Sequence, residues 1–313
     1  MQNVFSPMVI RLAQCDFFVG RVSSCALFEH AYPRSNSMQE RLRKKFLELC
    51  QEDTPMIRRA CASQLGQFST KLERDHVINE LLPIFRQLSS DEQDAIRVLC
   101  IESLIPLAQS LNKQDNCTFT LGSLLAAGED KSWKVRLCFA KNFAKFANSF
   151  GKEITDSNLI QTFNTLLTEN ETEPEVRNAA IVSLSQSLEY LSTEKICNIL
   201  LPTLTSSYFE TQVQFKAGLA IALCQMSPIV GQNYTEKNIL PVLQELLKDE
   251  SSEVRLNVVS NLKQLAEIAG SSLLSPALLT ILNNLTKDQQ WRVRSAVFEL
   301  MGDLAIALGI STY

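Results

Sequence analysis

An acidic residue, four residues of turn, then Val-Arg or Ile-Arg: this spacing recurs along the whole chain and constrains what it can fold into. It occurs at Asp91…Ile96-Arg97, Asp130…Val135-Arg136, Glu171…Val176-Arg177, Asp249…Val254-Arg255 and Asp288…Val293-Arg294, with Glu52…Ile57-Arg58 keeping the same interval. The steps between arginines are 39 (58 to 97), 39 (97 to 136), 41 (136 to 177), 78 (177 to 255) and 39 (255 to 294). The double step contains a degenerate copy at Val213-Gln214, and a weak one stands at Val22-Ser23. A fixed period near forty residues predicts stacked helix pairs, an all-α superhelix in which each repeat touches only its neighbours.

Aligned on the Val or Ile of the motif, the positions four residues on are Ala26, Cys61, Cys100, Phe139, Ala180, Ala217, Val258 and Val297. Those eight on are His30, Leu65, Leu104, Phe143, Leu184, Ile221, Leu262 and Met301. Positions 0, 4 and 8 share one face of a helix, and that face is apolar in nearly every copy, so the second helix of each pair should pack inward on it. The first helices are expected at Met38–Cys50, His76–Leu88, Thr118–Ala127, Asn158–Leu167, Ile196–Ser206, Ile239–Leu247 and Leu279–Leu285. Several carry an early proline, as at Leu82-Pro83, Leu201-Pro202 and Leu240-Pro241, where a first helical turn tolerates it. Breaker residues at Tyr32-Pro33, Gly151-Lys152, Gly231-Gln232-Asn233 and Gly270-Ser271 separate repeats. The expected organisation is a single solenoid, 1–313, of about eight repeats near 1–34, 35–72, 73–112, 113–152, 153–192, 193–232, 233–271 and 272–313.

The acid of the motif lies where a carboxylate can cap the second helix. The arginine lies in that helix's first turn, where the helix dipole disfavours a cation unless something neutralises it. Each arginine is therefore expected to pair with an acid of a neighbouring repeat, forming a ladder. Repeat six has Tyr208 and Gln214 at the two motif positions and should lack a rung.

Composition narrows the function. A 45% hydrophobic content is enough for a packed core, and a net charge of −4 argues against a nucleic-acid surface. The nine cysteines form no CxxC pair, and Cys61, Cys100 and Cys138 fall on the buried faces, so they read as reduced core residues of a cytoplasmic chain. The two histidines, His30 and His76, support no nucleophile–base arrangement and no zinc site, and no phosphate-binding glycine loop is present. No enzyme activity, cofactor or metal is expected. The apolar segment from Ala217 to Tyr234 falls where a repeat helix belongs and contains Gln225, Pro228 and Gln232, against a membrane span.

Against this background two turns stand out. Trp133 and Trp291, the only tryptophans, both stand two residues before the motif's valine. The turns joining first to second helices line one ridge in a solenoid, and a tryptophan on such a ridge is a candidate binding anchor. In the second turn, Asp53-Thr54-Pro55-Met56-Ile57-Arg58-Arg59 combines a stiffening proline with paired cations.

Longer segments carry a family resemblance. EDTPMIRRACASQLGQF (52–68), SSDEQDAIRVL (89–99), EDKSWKVR (129–136), MSPIVG (226–231), LKDESSEVRLNVVSNL (247–262) and DQQWRVRSAVFELM (288–301) resemble the scaffold subunits of protein phosphatase 2A. The opening segment 6–34 fits an internal repeat of the same family. The resemblance implies an all-helical array of HEAT repeats. Along its earlier turns such an array binds a regulatory (B-type) subunit, and along its last ones the phosphatase catalytic subunit. It implies that Asp53, Pro55, Met56, Arg58, Arg59, Glu92, Gln93, Ser132 and Trp133 lie on the regulatory-subunit ridge. It also implies that Trp291 and Arg292 begin the catalytic-subunit surface. The block covered is the middle of a longer array, so the regulatory subunit is the firmer expectation. Lys134 stands where the family has arginine, which keeps the charge and loses the planar fork. The expected location is the cytoplasm, with the nucleus as a second compartment. A peptide- or cargo-carrying solenoid of the nuclear-transport type remains the alternative, and it would place its binding residues on the second helices. An RNA-reading repeat array would need a basic face that this composition lacks.

Overall fold

A computed structural model describes residues 2–168, 170–207, 212–269 and 276–307. Every regular element among them is helical. The chain divides into two compact units, Met1–Ile154 and Thr155–Tyr313.

The first unit contains α1 (Gln2–Ala13), α2 (Phe18–Cys25), α3 (Gln39–Cys50), α4 (Pro55–Ser69), α5 (Leu82–Ser89), α6 (Asp94–Gln109), α7 (Leu121–Gly128) and α8 (Trp133–Phe150). The second contains α9 (Ile160–Thr165), α10 (Pro174–Ser185), α11 (Leu201–Ser206), α12 (Val213–Val230), α13 (Leu240–Leu246), α14 (Ser252–Ala269), α15 (Pro276–Leu285) and α16 (Trp291–Ala307). Odd-numbered helices are the first members of pairs and even-numbered ones the second. Within each unit successive second helices pack on one another: α2 on α4, α4 on α6 and α6 on α8, then α10 on α12, α12 on α14 and α14 on α16.

The inward faces follow the expected periodicity. Ile57, Cys61 and Leu65 of α4, Ile96, Cys100 and Leu104 of α6, and Val135, Phe139 and Phe143 of α8 are buried, as are Val254, Val258 and Leu262 of α14. Where the first two pairs meet, Phe46 lies 5.4 Å from Phe28 and 4.5 Å from Phe68, ring centroid to centroid. Such aromatic pairs add to the area they remove from water.

Two copies of the motif are in a different frame from the expected one. Ala26 and His30 are exposed, while Ser24 and Phe28 are buried. The position equivalent to Ile57 in α2 is therefore Gly20, not Val22. In α12 it is Phe215, not Val213: Phe215, Leu219 and Leu223 are buried, whereas Ile221 is half-buried. A valine two residues from the true position imitated the motif in both cases. Met301 also departs from expectation: it is 40% exposed, and Leu300 turns inward in its place.

The first helices begin earlier than expected. Helical turns at Arg74–His76, Lys152–Ile154, Thr193–Lys195 and Gln232–Tyr234 precede π turns at Val77–Leu81, Thr155–Leu159, Ile196–Leu200 and Thr235–Ile239. Ser192 caps the start at Thr193–Lys195, accepting from the Lys195 amide, and Asn112 caps the helix Lys113–Phe119, accepting from the Asp115 amide. Pro83, Pro202 and Pro241 are consequently interior to a helical run rather than in its first turn. Proline lacks an N–H and clashes with the carbonyl four residues back, and the widened turn relieves both problems. The amides of Leu82, Leu201 and Leu240 donate five residues back, to Val77, Ile196 and Thr235. At Thr155–Leu159 the same turn precedes Gln161, so proline suits this geometry without being its sole cause.

Gly151 and Gly231 end α8 and α12 with φ of 84° and 81° and ψ of 170° and 171°. That region is essentially restricted to glycine, so both breakers act as chain terminators of a helix. The expected breaker Gly270-Ser271 lies outside the described residues. The long apolar α12 has the length and composition of a membrane span, but half of its apolar window is buried, and it packs between α10 and α14.

Candidate protein-binding ridge

The turns entering the second helices are built by one repeated device. In α4 the Arg58 guanidinium donates through Nη1 to the carbonyls of Glu52 and Asp53, both at 2.8 Å, closing its own turn. Its Nε and Nη2 reach Asp91 of the next repeat at 2.7 and 3.3 Å. Arg97 repeats the arrangement, donating to the Asp91 and Glu92 carbonyls and to both oxygens of Asp130 at 2.7 Å. The receiving carboxylate also organises its own turn: Asp91 Oδ1 accepts from the Gln93 amide and Asp130 Oδ1 from the Ser132 amide. One arginine thus fixes a turn and grips the next, and one aspartate caps its turn and is gripped.

Three of the expected rungs, Arg58–Asp91, Arg97–Asp130 and Arg255–Asp288, are present, and two unexpected ones join them. In the first repeat Arg21 holds the Cys15 and Asp16 carbonyls and lies 3.2 Å from Glu52. In the second unit Arg255 holds Asp288 at 2.7 and 2.9 Å, and Lys216 donates to Asp249 at 2.6 Å. Repeat six therefore keeps its cation, at Lys216 rather than at the expected position Gln214. Its expected acid position, Tyr208, lies outside the described residues. Arg177 is buried and stacks its guanidinium 4.6 Å from the Phe215 ring centroid, a cation–π contact between consecutive second helices.

Mutual neutralisation resolves the cost of a cation in a first helical turn. Burial pushes the Asp91 carboxyl up, but Arg58 and the Gln93 amide outweigh it and hold the group below the ordinary carboxylate range. Asp288 is lowered in the same way, burial opposed by Arg255 and the Gln290 amide. Asp91 and Asp130 raise the guanidinium values of Arg58 and Arg97 respectively.

The ladder leaves a row of side chains outside it. In the first unit Asp53, Pro55, Met56 and Arg59 are exposed in the second turn, and Glu92 and Gln93 in the third. In the fourth turn Trp133 is half-buried, and Ser132 donates to Asp94 at 3.0 Å, a bond that lowers the Asp94 carboxyl. Lys134 approaches the same carboxylate at 3.9 Å. Because Arg58 and Arg97 bind consecutive turns together, these residues share one edge of the unit. Arg58 itself is engaged in the ladder and positions the edge, whereas Arg59 beside it is the outward cation.

Sequence reading missed the first turn of this edge. Phe17 is 78% exposed, and Phe18 and Val19 are also exposed, at the positions corresponding to Thr54, Pro55 and Met56. The signal was available in Arg21, since its relation to Cys15 and Asp16 is that of Arg58 to Glu52 and Asp53.

Trp291 and Arg292 occupy the equivalent turn of the last pair, in the second unit. The Arg292 guanidinium lies 5.7 Å from the Trp291 ring centroid, and Trp291 is 63% exposed. Together with Ser252, Glu253, Leu256 and Gln290 they line an open groove of about 570 Å³. No cluster of three or more His, Cys, Asp or Glu residues among the described ones has the geometry to hold a metal ion.

Comparison with known proteins agrees with this architecture. The HEAT repeat family model matches residues 239–269. The beta isoform of the 65 kDa regulatory subunit of serine/threonine-protein phosphatase 2A from Homo sapiens is 40% identical over 261 residues, 82% of this chain and 43% of that protein. The corresponding protein phosphatase PP2A regulatory subunit of Schizosaccharomyces pombe is 32% identical over 157 residues, 49% of this chain and 27% of that protein. The chain thus spans less than half the length of these relatives. Among solved structures, importin beta superposes with a TM-score of 0.72 at 12% identity, covering 98% of this chain and 41% of its own, a likeness of fold. These relatives are named as regulatory subunits rather than catalytic ones. Its repeats, its helix pairs and its similarity over most of its length make this chain an α-solenoid of HEAT repeats, resembling the central repeats of the protein phosphatase 2A scaffold subunits.

Proposed function

We propose that the chain is a scaffold of a protein phosphatase 2A-type complex and that a B-type regulatory subunit docks along the first unit's ridge. The observation that carries this reading is the alignment of Met56, Arg59, Glu92, Gln93 and Trp133 along one edge, held there by the Arg58–Asp91 and Arg97–Asp130 pairs. The ridge offers an apolar anchor, cations and carboxylates in adjacent turns, the mixture that central hot spots and polar rims require. Trp291 and Arg292 would form the start of a catalytic-subunit contact. Holding the regulatory subunit on such an edge raises the local concentration of an attached phosphatase near its substrate. Eight repeats acting as one continuous array, in the cytoplasm and nucleus, belong to the same proposal.

The alternative, cargo carriage on the second helices, fits the first unit less well. Apart from Val4, the exposed large apolar residues among its described ones are Phe17, Phe18, Val19 and Met56, all at the turns. Capture of purified regulatory subunit by Arg59→Glu and Trp133→Ala chains tests the proposal. Each variant should capture at least about tenfold less, the loss of a hot-spot residue. Wild-type capture by both would refute the ridge.

A further inference from the structure

Three cysteines meet in the core of the first unit, where its first two helix pairs pack. Cys25 closes α2 and Cys61 lies within α4, and their Sγ atoms are 3.4 Å apart, with both residues almost wholly buried. Cys50, the last residue of α3, is also buried and is near enough to Cys61 to push its thiol up. The pair sits beside the first rung of the ladder, since the Cys25 thiol donates at 3.4 Å to the carbonyl of Arg21, the residue that faces Glu52. That contact, at 3.2 Å, is longer than those made by Arg58, Arg97, Lys216 and Arg255, which close to 2.6–2.7 Å.

We propose that Cys25 and Cys61 are a disulfide-forming pair that peroxide oxidation closes, joining α2 covalently to α4. The sulfurs need to approach by about 1.4 Å to reach the ~2.05 Å of a disulfide, a movement within reach of side-chain rotation. Hydrogen peroxide takes two electrons from the Cys61 sulfur, giving a sulfenic acid and one water. The Cys25 sulfur then attacks the sulfenic sulfur, the S–S bond forms, and the hydroxyl leaves with the Cys25 proton as a second water. The hydrogen bond to Cys61 and burial push the Cys25 thiol up, and burial pushes Cys61 up, so both rest protonated at neutral pH. The pair therefore persists as thiols in a reducing compartment and closes under sustained oxidation. Closure adds a covalent joint beside the Arg21–Glu52 contact.

Trypsin separates the three cysteines into peptides 22–34 (Cys25), 46–58 (Cys50) and 60–71 (Cys61). The full chain is treated with hydrogen peroxide, its remaining thiols are alkylated, and it is digested without reductant for mass spectrometry. The expected product is peptide 22–34 linked to 60–71, lost on reduction, retained in Cys50→Ser and absent from Cys61→Ser. The wild-type map carries the test even if a variant fails to fold. Absence of the 22–34 to 60–71 link from the oxidised wild type, or a 46–58 to 60–71 link in its place, would overturn the proposal.

Discussion

Lys216 Nζ donates to Asp249 Oδ2 at 2.6 Å, across the same interval of 33 residues that separates Arg58 from Asp91, Arg97 from Asp130 and Arg255 from Asp288. A lysine and an arginine thus grip the next turn's carboxylate from the same place on consecutive second helices. The relation identifies the unit of construction: a cation in the first turn of one second helix, and a carboxylate that caps the next.

Because both partners are largely buried, removing one leaves the other uncompensated. Lys216→Met should lower the unfolding free energy by about 1–3 kcal/mol. Lys216→Arg should stay near wild type. Asp249→Ala should cost more than Lys216→Met, because it also strips the cap from the Ser251 amide. Urea unfolding of the three variants measures the order.

The ladder has a defined pH dependence. Asp91 and Asp288 have folded values below their unfolded ones, so their contribution is complete above the unfolded value of about 3.9 and is lost as pH falls through the folded value. The urea midpoint should be level between about pH 7 and 5 and drop below about pH 4. In Asp91→Asn the midpoint at neutral pH should be lower and the acid drop shallower.

Packing between α4 and α6 depends on a missing side chain. A Cβ on Gly66 would collide with the Ser103 carbonyl and the Pro106 ring, both in α6. Gly66→Ala should therefore destabilise by about 1–3 kcal/mol despite alanine's better helix propensity. Gly122 in α7 has open space where its Cβ would lie. Gly122→Ala should be neutral or stabilising by up to about 1 kcal/mol. Thermal unfolding of the two variants should shift in opposite directions, or only for Gly66→Ala.

The helix pairs were legible in the sequence because burial imposes the 0, 4, 8 pattern on every second helix. The frame was legible only where Val or Ile occupies the first of those positions. At Gly20 and Phe215 it does not, and Val22 and Val213 drew the reading two residues astray. The cation and its partner carboxylate would have corrected it, since Lys216 to Asp249 keeps the interval that Gln214 breaks. The starts of the first helices were hidden for another reason. Proline marks a helix boundary in isolation, but here a π turn carries the helix through it. At the candidate site, turn position could be read from the motif, and Asp53 to Arg59 and Ser132 to Trp133 do lie in the turns. Exposure could not be read in the same way: Phe17 looks like a core residue in sequence, and Arg58 like a surface one.

The central claim is that the first unit's turn edge is where a regulatory subunit docks, and Trp133 reports on that edge directly. In a Trp291→Phe chain it is the sole tryptophan. Titrating this chain with a regulatory subunit carrying a spectrally distinct tryptophan analogue, while sedimentation monitors complex formation, isolates its emission. The account predicts that Trp133 emission shifts to the blue and saturates together with complex formation, as a half-buried indole loses its remaining water. Complex formation with unchanged Trp133 emission would contradict it.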